Sequence, residues 1–217
     1  IKGGRYYLLN GEKLWCTNVT RAGLVVVMAR TPPRKSRHGK RRPITAFIVD
    51  MKTSGIKVTH RCRFMGLRAL YNGVVKFYNV KVPRENIILG EGKGLKVALS
   101  TLNTGRLPLP AACTGLAKQC LHETRLWVTN RNQWGSRIGD HEAISEKVAQ
   151  MAADTFALES VVHLTSALVD EGDTDIRLEA AMAKMWGTET AWRIVDDAMQ
   201  IRGGRGYETE ASQSERS

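Results

Sequence analysis

Long apolar runs are missing from this sequence. No window approaches the roughly 20 uninterrupted apolar residues of a helical membrane span, and the first 25 residues lack the basic, apolar, small-residue order of a secretion signal. Cysteine is scarce: Cys16, Cys62, Cys113 and Cys120 show no CxxC spacing, so neither a zinc site nor a disulfide framework is indicated, and a reducing interior suits them best. Acidic residues are too few to balance the basic ones, 21 against 33, which leaves a net charge of +12. Half of that excess lies in one run, Arg34, Lys35, Arg37, Lys40, Arg41 and Arg42, interleaved with Ser36, His38 and Gly39 and containing no aromatic residue. The run reads as a solvated basic hairpin loop, with a phosphorylated ligand or nucleic acid as the alternatives. The chain opens on Ile1 and passes almost directly into a strand pattern, from which a missing N-terminus is expected.

The 217 residues suit one or two domains, and the period of the apolar residues changes partway along. Residues 5 to 82 read as strands: LVVVMA at 24 to 29, ITAFIVDM at 44 to 51 and VVKFYNVKV at 74 to 82. Asn10-Gly11, between RYYLL and EKLWC, predicts a two-residue hairpin, since both central residues of that turn need positive φ. After Pro83, glycines 90, 92 and 94 form a connector, and three long helices follow. The first spans about Leu95 to Arg131 and must bend near Pro108 and Pro110. The second covers about Asp140 to Val169. The third begins beyond a break at Gly172 to Asp175, with Asp175 as its N-cap. The expected architecture is α+β, with a β-barrel-like middle domain over residues 1–90 and an antiparallel helical bundle over residues 91–217 that leaves room for a fourth helix.

QIRGGRGY, residues 200 to 207, then poses a question. Three glycines in four residues can let a backbone approach a phosphate, but the dinucleotide fingerprint needs a strand before them and a helix after. Here Leu178, Met182, Met185, Trp192, Val195 and Met199 recur at helical spacing upstream, so the glycines end a helix. Gly203 or Gly204 as a C-terminal cap with positive φ is the simplest account.

Five ordered motifs carry a resemblance. EKLWCTN (12 to 18), VKVPRENIILGEGKG (80 to 94), LNTGR (102 to 106), NRNQWG (130 to 135) and QIRGGRGY together resemble the acyl-CoA dehydrogenase family, from about Gly4 to Gly206. LNTGR with NRNQWG, and no acidic residue before Arg106, is most similar to the long-chain and very-long-chain branch. The resemblance implies an FAD-dependent enzyme that removes a hydride from the β-carbon of a saturated acyl-CoA thioester while a carboxylate takes the α-proton. It implies that Trp15 covers the flavin ring and Thr17 hydrogen-bonds its N5 region. Arg131 is then assigned to the pyrophosphate of a neighbouring subunit's FAD, Gln133 and Trp134 to its adenosine portion, and Gln200 with the Gly203-Gly204 backbone to the same neighbouring FAD. Thr31, Asn103 and Arg106 occupy positions that contact substrate or shape its pocket in such enzymes; Asn103 and Arg106 equally suit a helix kink made by Pro108.

Departures from the family pattern shape the remaining expectations. The family's catalytic glutamate, in a Y/F-E-G-T segment, is expected beyond Ser217, and the alternative position before Arg106 is Gly105, so no residue here is assigned as the base. The tail ETEASQSERS leaves the family spacing, and the N-terminal helical domain is lacking. The resemblance further implies an electron-transfer flavoprotein as acceptor, a homodimer or homotetramer, and a place in the bacterial cytoplasm or the mitochondrion. No metal ligand set is indicated. A flavin oxidase and a DNA-binding protein exist on the same scaffold and stand as alternatives.

Overall fold

The computed structural model describes residues 4–36, 39–172 and 175–215. Arg37 and His38 of the basic run, and Asp173 and Thr174 of the break before the last long helix, lie outside the described residues. The chain divides into two compact units, residues 1–100 and 101–217.

In the first unit, strand β1 (Tyr6–Cys16) pairs antiparallel with β7 (Gly73–Pro83), whose other edge takes β6 (Ile56–Arg61). A second sheet runs in the order β2 (Leu24–Arg30), β5 (Ile44–Asp50) and β8 (Ile87–Ile88). A short hairpin, β3 (Arg34–Ser36) with β4 (Gly39–Arg41), underlies the basic run. The expected turn at Asn10-Gly11 is absent, because β1 runs straight through both residues. What those residues accommodate is a bulge in β7. Leu9 faces Val80 and Gly11 faces Phe77, so Asn10 stands opposite both Tyr78 and Asn79. Asn79 adopts φ 48, its backbone N–H donates to Asn10 Oδ1 at 2.8 Å, and Asn10 Nδ2 donates to Asn79 Oδ1 at 3.0 Å. The extra residue switches the phase of burial: Val75 and Phe77 point inward before it, Val80 and Val82 after it. Without the bulge, period-two alternation would turn the last two outward.

Phe47, Val49, Val75 and Val80 form the centre of this core, with the Tyr7 ring edge-on to Phe47 at 5.2 Å. The two three-stranded sheets remain separate, so the expected barrel-like closure does not form among the described residues. A cavity of ≈ 520 Å³ lies between β1 and β2, and Lys13 Nζ spans it to donate to Met28 O at 2.8 Å. Each strand already has one paired neighbour, and a long side chain takes the place of a backbone ladder on the other edge.

The expected first long helix is two helices. α1 (Gly94–Gly105) stops, and α2 (Pro108–Asn130) starts afresh with Pro108 in its first turn, where a missing N–H costs nothing. The division between the units falls inside α1. In the second unit α3 (Glu142–Asp170) and α4 (Arg177–Arg202) pack with α2. Asp175 sits one residue before the N-cap, Ile176, yet its carboxylate accepts the Arg177 N–H at 3.2 Å and pairs with the Arg177 guanidinium.

The large apolar residues of α4 are not its buried face. Leu178, Met182, Met185 and Trp192 are exposed, Trp192 at 74%, whereas Ala180, Ala183, Gly187, Ala191 and Ile194 are buried. Small residues let the helices approach closely: a Cβ on Gly187 would stand 3.0 Å from Leu158 Cδ1 and 3.1 Å from Pro110 Cβ.

Candidate functional site

In the first unit, the backbone itself presents Trp15. Lys13 faces Val75 and Cys16 faces Gly73, so Leu14 and Trp15 together oppose Val74 alone, a second bulge. Trp15 takes φ 53, a conformation costly for a bulky side chain, and the residue is 65% exposed. Two residues on, the Thr17 hydroxyl donates to Asn72 Oδ1 at 2.9 Å, and Asn72 is only 3% exposed. Gly73 makes room for this arrangement, since a Cβ there would lie 2.9 Å from both His60 O and Val19 Cγ1. With its proton held by Asn72, the Thr17 oxygen keeps its lone pairs for a donor. Burial pushes the intervening Cys16 thiol up, against a smaller opposing effect of Lys13, so it stays a neutral thiol rather than a nucleophile. Thr31 is buried, with its hydroxyl 3.2 Å from Pro43 O and 3.3 Å from Thr45 Oγ1, so that group is engaged within the unit.

In the second unit, α2 ends at Asn130 and the chain turns at once into a tight hairpin, β9 (Asn132–Gln133) with β10 (Ser136–Arg137). Its two turn residues, Trp134 at φ 53 and Gly135 at φ 87, both have positive φ, as in a type I′ turn. His141 steadies this turn, with Nε2 3.2 Å from Gln133 O and 3.3 Å from Ser136 Oγ and its ring 5.7 Å from Trp134 edge-on. Trp134 itself is 87% exposed.

Across from the hairpin, α4 ends where its glycines begin, and each glycine has a different reason. Gly203 is the C-cap at φ 60, ψ −138, a region open essentially to glycine alone. Gly206, in the short helix α5 (Gly204–Tyr207), would place a Cβ 2.3 Å from Met199 O. Gly204 would place its Cβ against nothing within 4 Å. Its bareness serves no packing among the described residues.

These two segments, joined by the Trp127 Nε1–H bond to Ile201 O at 3.2 Å, enclose a cavity of ≈ 720 Å³. Arg131, Gln133, Trp134, Gly203 and Gly204 all line it. Gln200 does not; it lines a neighbouring depression with Asp196 and Tyr207 that shares the same two glycines. Asn103 and Arg106 are bonded to each other, Arg106 Nη1 donating to Asn103 Oδ1 at 3.0 Å near the end of α1. Sequence reasoning missed Asn72, Trp127, His141, Arg202 and Arg205. The i, i+4 spacing of Trp127 and Arg131 was a local signal that two of the lining residues lie near each other at the end of α2, where Arg131 is the C-cap. Among the described residues no cluster of three or more His, Cys, Asp or Glu could hold a metal, and no helix is long and apolar enough to cross a membrane.

Comparison with known proteins adds a second line. The family model for the acyl-CoA dehydrogenase middle domain matches residues 1–80, and that for the acyl-CoA dehydrogenase C-terminal domain matches residues 92–216. The chain is 51% identical over 212 residues to the probable acyl-CoA dehydrogenase FadE10 of Mycobacterium tuberculosis, covering 98% of this chain and 32% of that protein. To the human mitochondrial very long-chain specific acyl-CoA dehydrogenase it is 38% identical over 205 residues, covering 94% and 31%. A Bacillus anthracis acyl-CoA dehydrogenase solved in complex with FAD superposes with a TM-score of 0.81 at 29% identity, covering 95% of this chain and 37% of that one. The chain thus spans about a third of the length of the curated relatives it matches.

Proposed function

The chain belongs to the acyl-CoA dehydrogenase family, and from that premise we propose that the full-length protein binds FAD and oxidises a saturated acyl-CoA thioester to the α,β-unsaturated product. The observation that carries the reading is the cavity of the second unit, where Arg131, Gln133, Trp134 and the two glycines meet. The donor set suits a dinucleotide. A guanidinium matches phosphate oxygens with a planar fork, an exposed indole offers a flat face to a purine, and bare Gly204 lets a backbone come close. When bound, the flavin supplies the hydride acceptor for the β-carbon.

The chain's own residues hold and orient. Arg131 would take the pyrophosphate, Gln133 and Trp134 the adenosine portion, and the Gly203-Gly204 backbone the remaining approach. Gln200 would serve a second face of the same loop. Trp15 would wall the flavin ring with its exposed indole, and Thr17, its O–H donated to Asn72, would offer its oxygen in the N5 region, where only the reduced flavin carries an N–H. Asn103 and Arg106 would act at the acyl-CoA as the bonded pair they form, and Thr31 through the shape of the segment it buttresses. The carboxylate that takes the α-proton is assigned to no residue here. An electron-transfer flavoprotein is the proposed acceptor, and a homodimer or homotetramer the proposed assembly, with a bacterial cytoplasmic or mitochondrial location.

The full-length protein should purify yellow, and a saturated acyl-CoA should bleach its flavin absorption without oxygen. Colourless protein that takes up no added FAD would sink the reading.

A further inference from the structure

We propose that Arg205 is a second phosphate-binding guanidinium of the cavity, so that the diphosphate of a bound dinucleotide is gripped by Arg131 and Arg205 together. The proposal rests on the flavin reading above and adds a residue to it that nothing in the five motifs assigned.

Three guanidinium carbons surround one indole. Arg131, Arg202 and Arg205 lie 5.9, 5.4 and 5.3 Å from the centroid of the Trp127 ring, and all three line the ≈ 720 Å³ cavity. The ring face offsets part of their mutual repulsion, and Glu123 offsets Arg202, with 3.8 Å between Oε2 and Nη1. Among the described residues neither Arg131 nor Arg205 stands within ion-pair distance of a carboxylate. Glu208 also lines the cavity, and its Oε1 accepts from Ser212 Oγ at 2.8 Å. Among the described residues two guanidiniums therefore stand beside one cavity without an ion-paired carboxylate, and a diphosphate ester brings two negative charges.

The backbone around Arg205 fits the same role. Gly206 lies hard against Met199 O, and Arg205 O accepts from Gln213 Nε2 at 3.0 Å, so the main chain is anchored just after the side chain leaves it. Gly204, on the other side, faces open space. A fixed base beside a bare backbone lets one cation be held over a phosphate without the entropy cost of a mobile loop. Among the described residues the Arg205 guanidinium makes no hydrogen bond, so replacing it removes little from the fold beyond its contact with Trp127.

The test is equilibrium FAD titration of the full-length protein and its Arg205→Gln, Arg205→Lys and Arg131→Gln variants, each at low and raised salt, with thermal unfolding of the FAD-free forms as the folding control. Arg205→Gln should weaken FAD about tenfold or more at low salt, the loss expected for one charge-assisted hydrogen bond, and should flatten the decline of affinity with salt. Arg205→Lys should keep the salt dependence and recover part of the affinity, since it keeps the charge and loses the fork. A purely structural Arg205 would shift unfolding and leave the salt dependence alone. If Arg205→Gln binds FAD with the parent's affinity and salt dependence while Arg131→Gln is impaired, Arg205 is not a phosphate ligand and the flavin reading stands. An unsubstituted protein that binds no FAD overturns both.

Discussion

The two units build their candidate site residues by opposite means. The β-unit bends strands: a two-against-one bulge lifts Trp15 out of the sheet at φ 53, and a buried Asn72 holds Thr17. The helical unit instead uses places where helices stop, the hairpin after α2 and the glycines after α4. The cores differ in the same sense. Large side chains, Phe47 above all, fill the β-unit, whereas α4 buries Ala180, Ala183 and Gly187 and leaves Met182, Met185 and Trp192 outside. A sheet can present a flat aromatic wall from a strained bulge because the paired strand β7 holds the backbone before and after it. A helix end offers unpaired groups and a change of direction, which suits an anion and a backbone approach.

The comparison breaks most sharply at the glycines of the helical unit. Gly206→Ala should cost about 3 kcal/mol or more, because the clash is with the Met199 backbone and not with a side chain that can move aside. Gly204→Ala should change stability by only about 0.5 kcal/mol, yet weaken FAD. Denaturant unfolding beside FAD titration separates the two, and equal effects of both changes on stability would show that Gly204 is a packing residue after all.

A smaller effect is expected in the β-unit. Asn72→Ala removes a buried partner of Thr17 and should lower stability by about 1–3 kcal/mol, while altering the flavin spectrum of the loaded protein. An unchanged spectrum with lowered stability would confine Asn72 to the fold.

The smallest effect distinguishes the units by acid. Hydrogen bonds from the Arg177 side chain and then its backbone hold the Asp175 carboxyl below its usual range, and the Lys118 side chain does the same to Glu159. A depressed carboxyl stabilises the fold fully above its unfolded pKa and loses that contribution as pH falls through the folded one. Both groups lie in the helical unit and both are exposed to solvent, so the loss on acidification should be slight, visible as a lowered melting temperature by helical circular dichroism and diminished by salt. A melting temperature insensitive to acid would show the pairs contribute nothing.

The helical half was legible because its apolar residues recur at 3.6-residue spacing and its prolines sit where helices begin. Gly203 as a C-cap with positive φ was equally readable. The apolar stripe from Leu178 to Met199 identified α4 but not its buried side, since periodicity shows that a helix has an apolar face and not which face meets a neighbour. Asn10-Gly11 misled for a related reason. The dipeptide favours a hairpin locally, but an 11-residue partner strand 69 positions away supplied a ladder for both residues and an Asn79 to fill the bulge. Among the described residues a two-residue turn with positive φ falls instead at Trp134-Gly135, which carries a tryptophan that no turn propensity favours.

The sequence by itself determined that strands precede helices, where the helices break, that QIRGGRGY closes a helix, and that five motifs share one family's order. Only tertiary structure decided that Arg131, Arg202 and Arg205 gather around Trp127, that Gln200 lines a separate depression, that the two described sheets stay apart, and that Asn72 accepts the Thr17 O–H. The physical reason is range. Period, cap and turn chemistry act within about one or two helical turns of chain, whereas a charge cluster or a buried polar pair joins residues 55 or 74 positions apart, as Thr17 does with Asn72 and Trp127 with Ile201, and exists only once packing has chosen their distances.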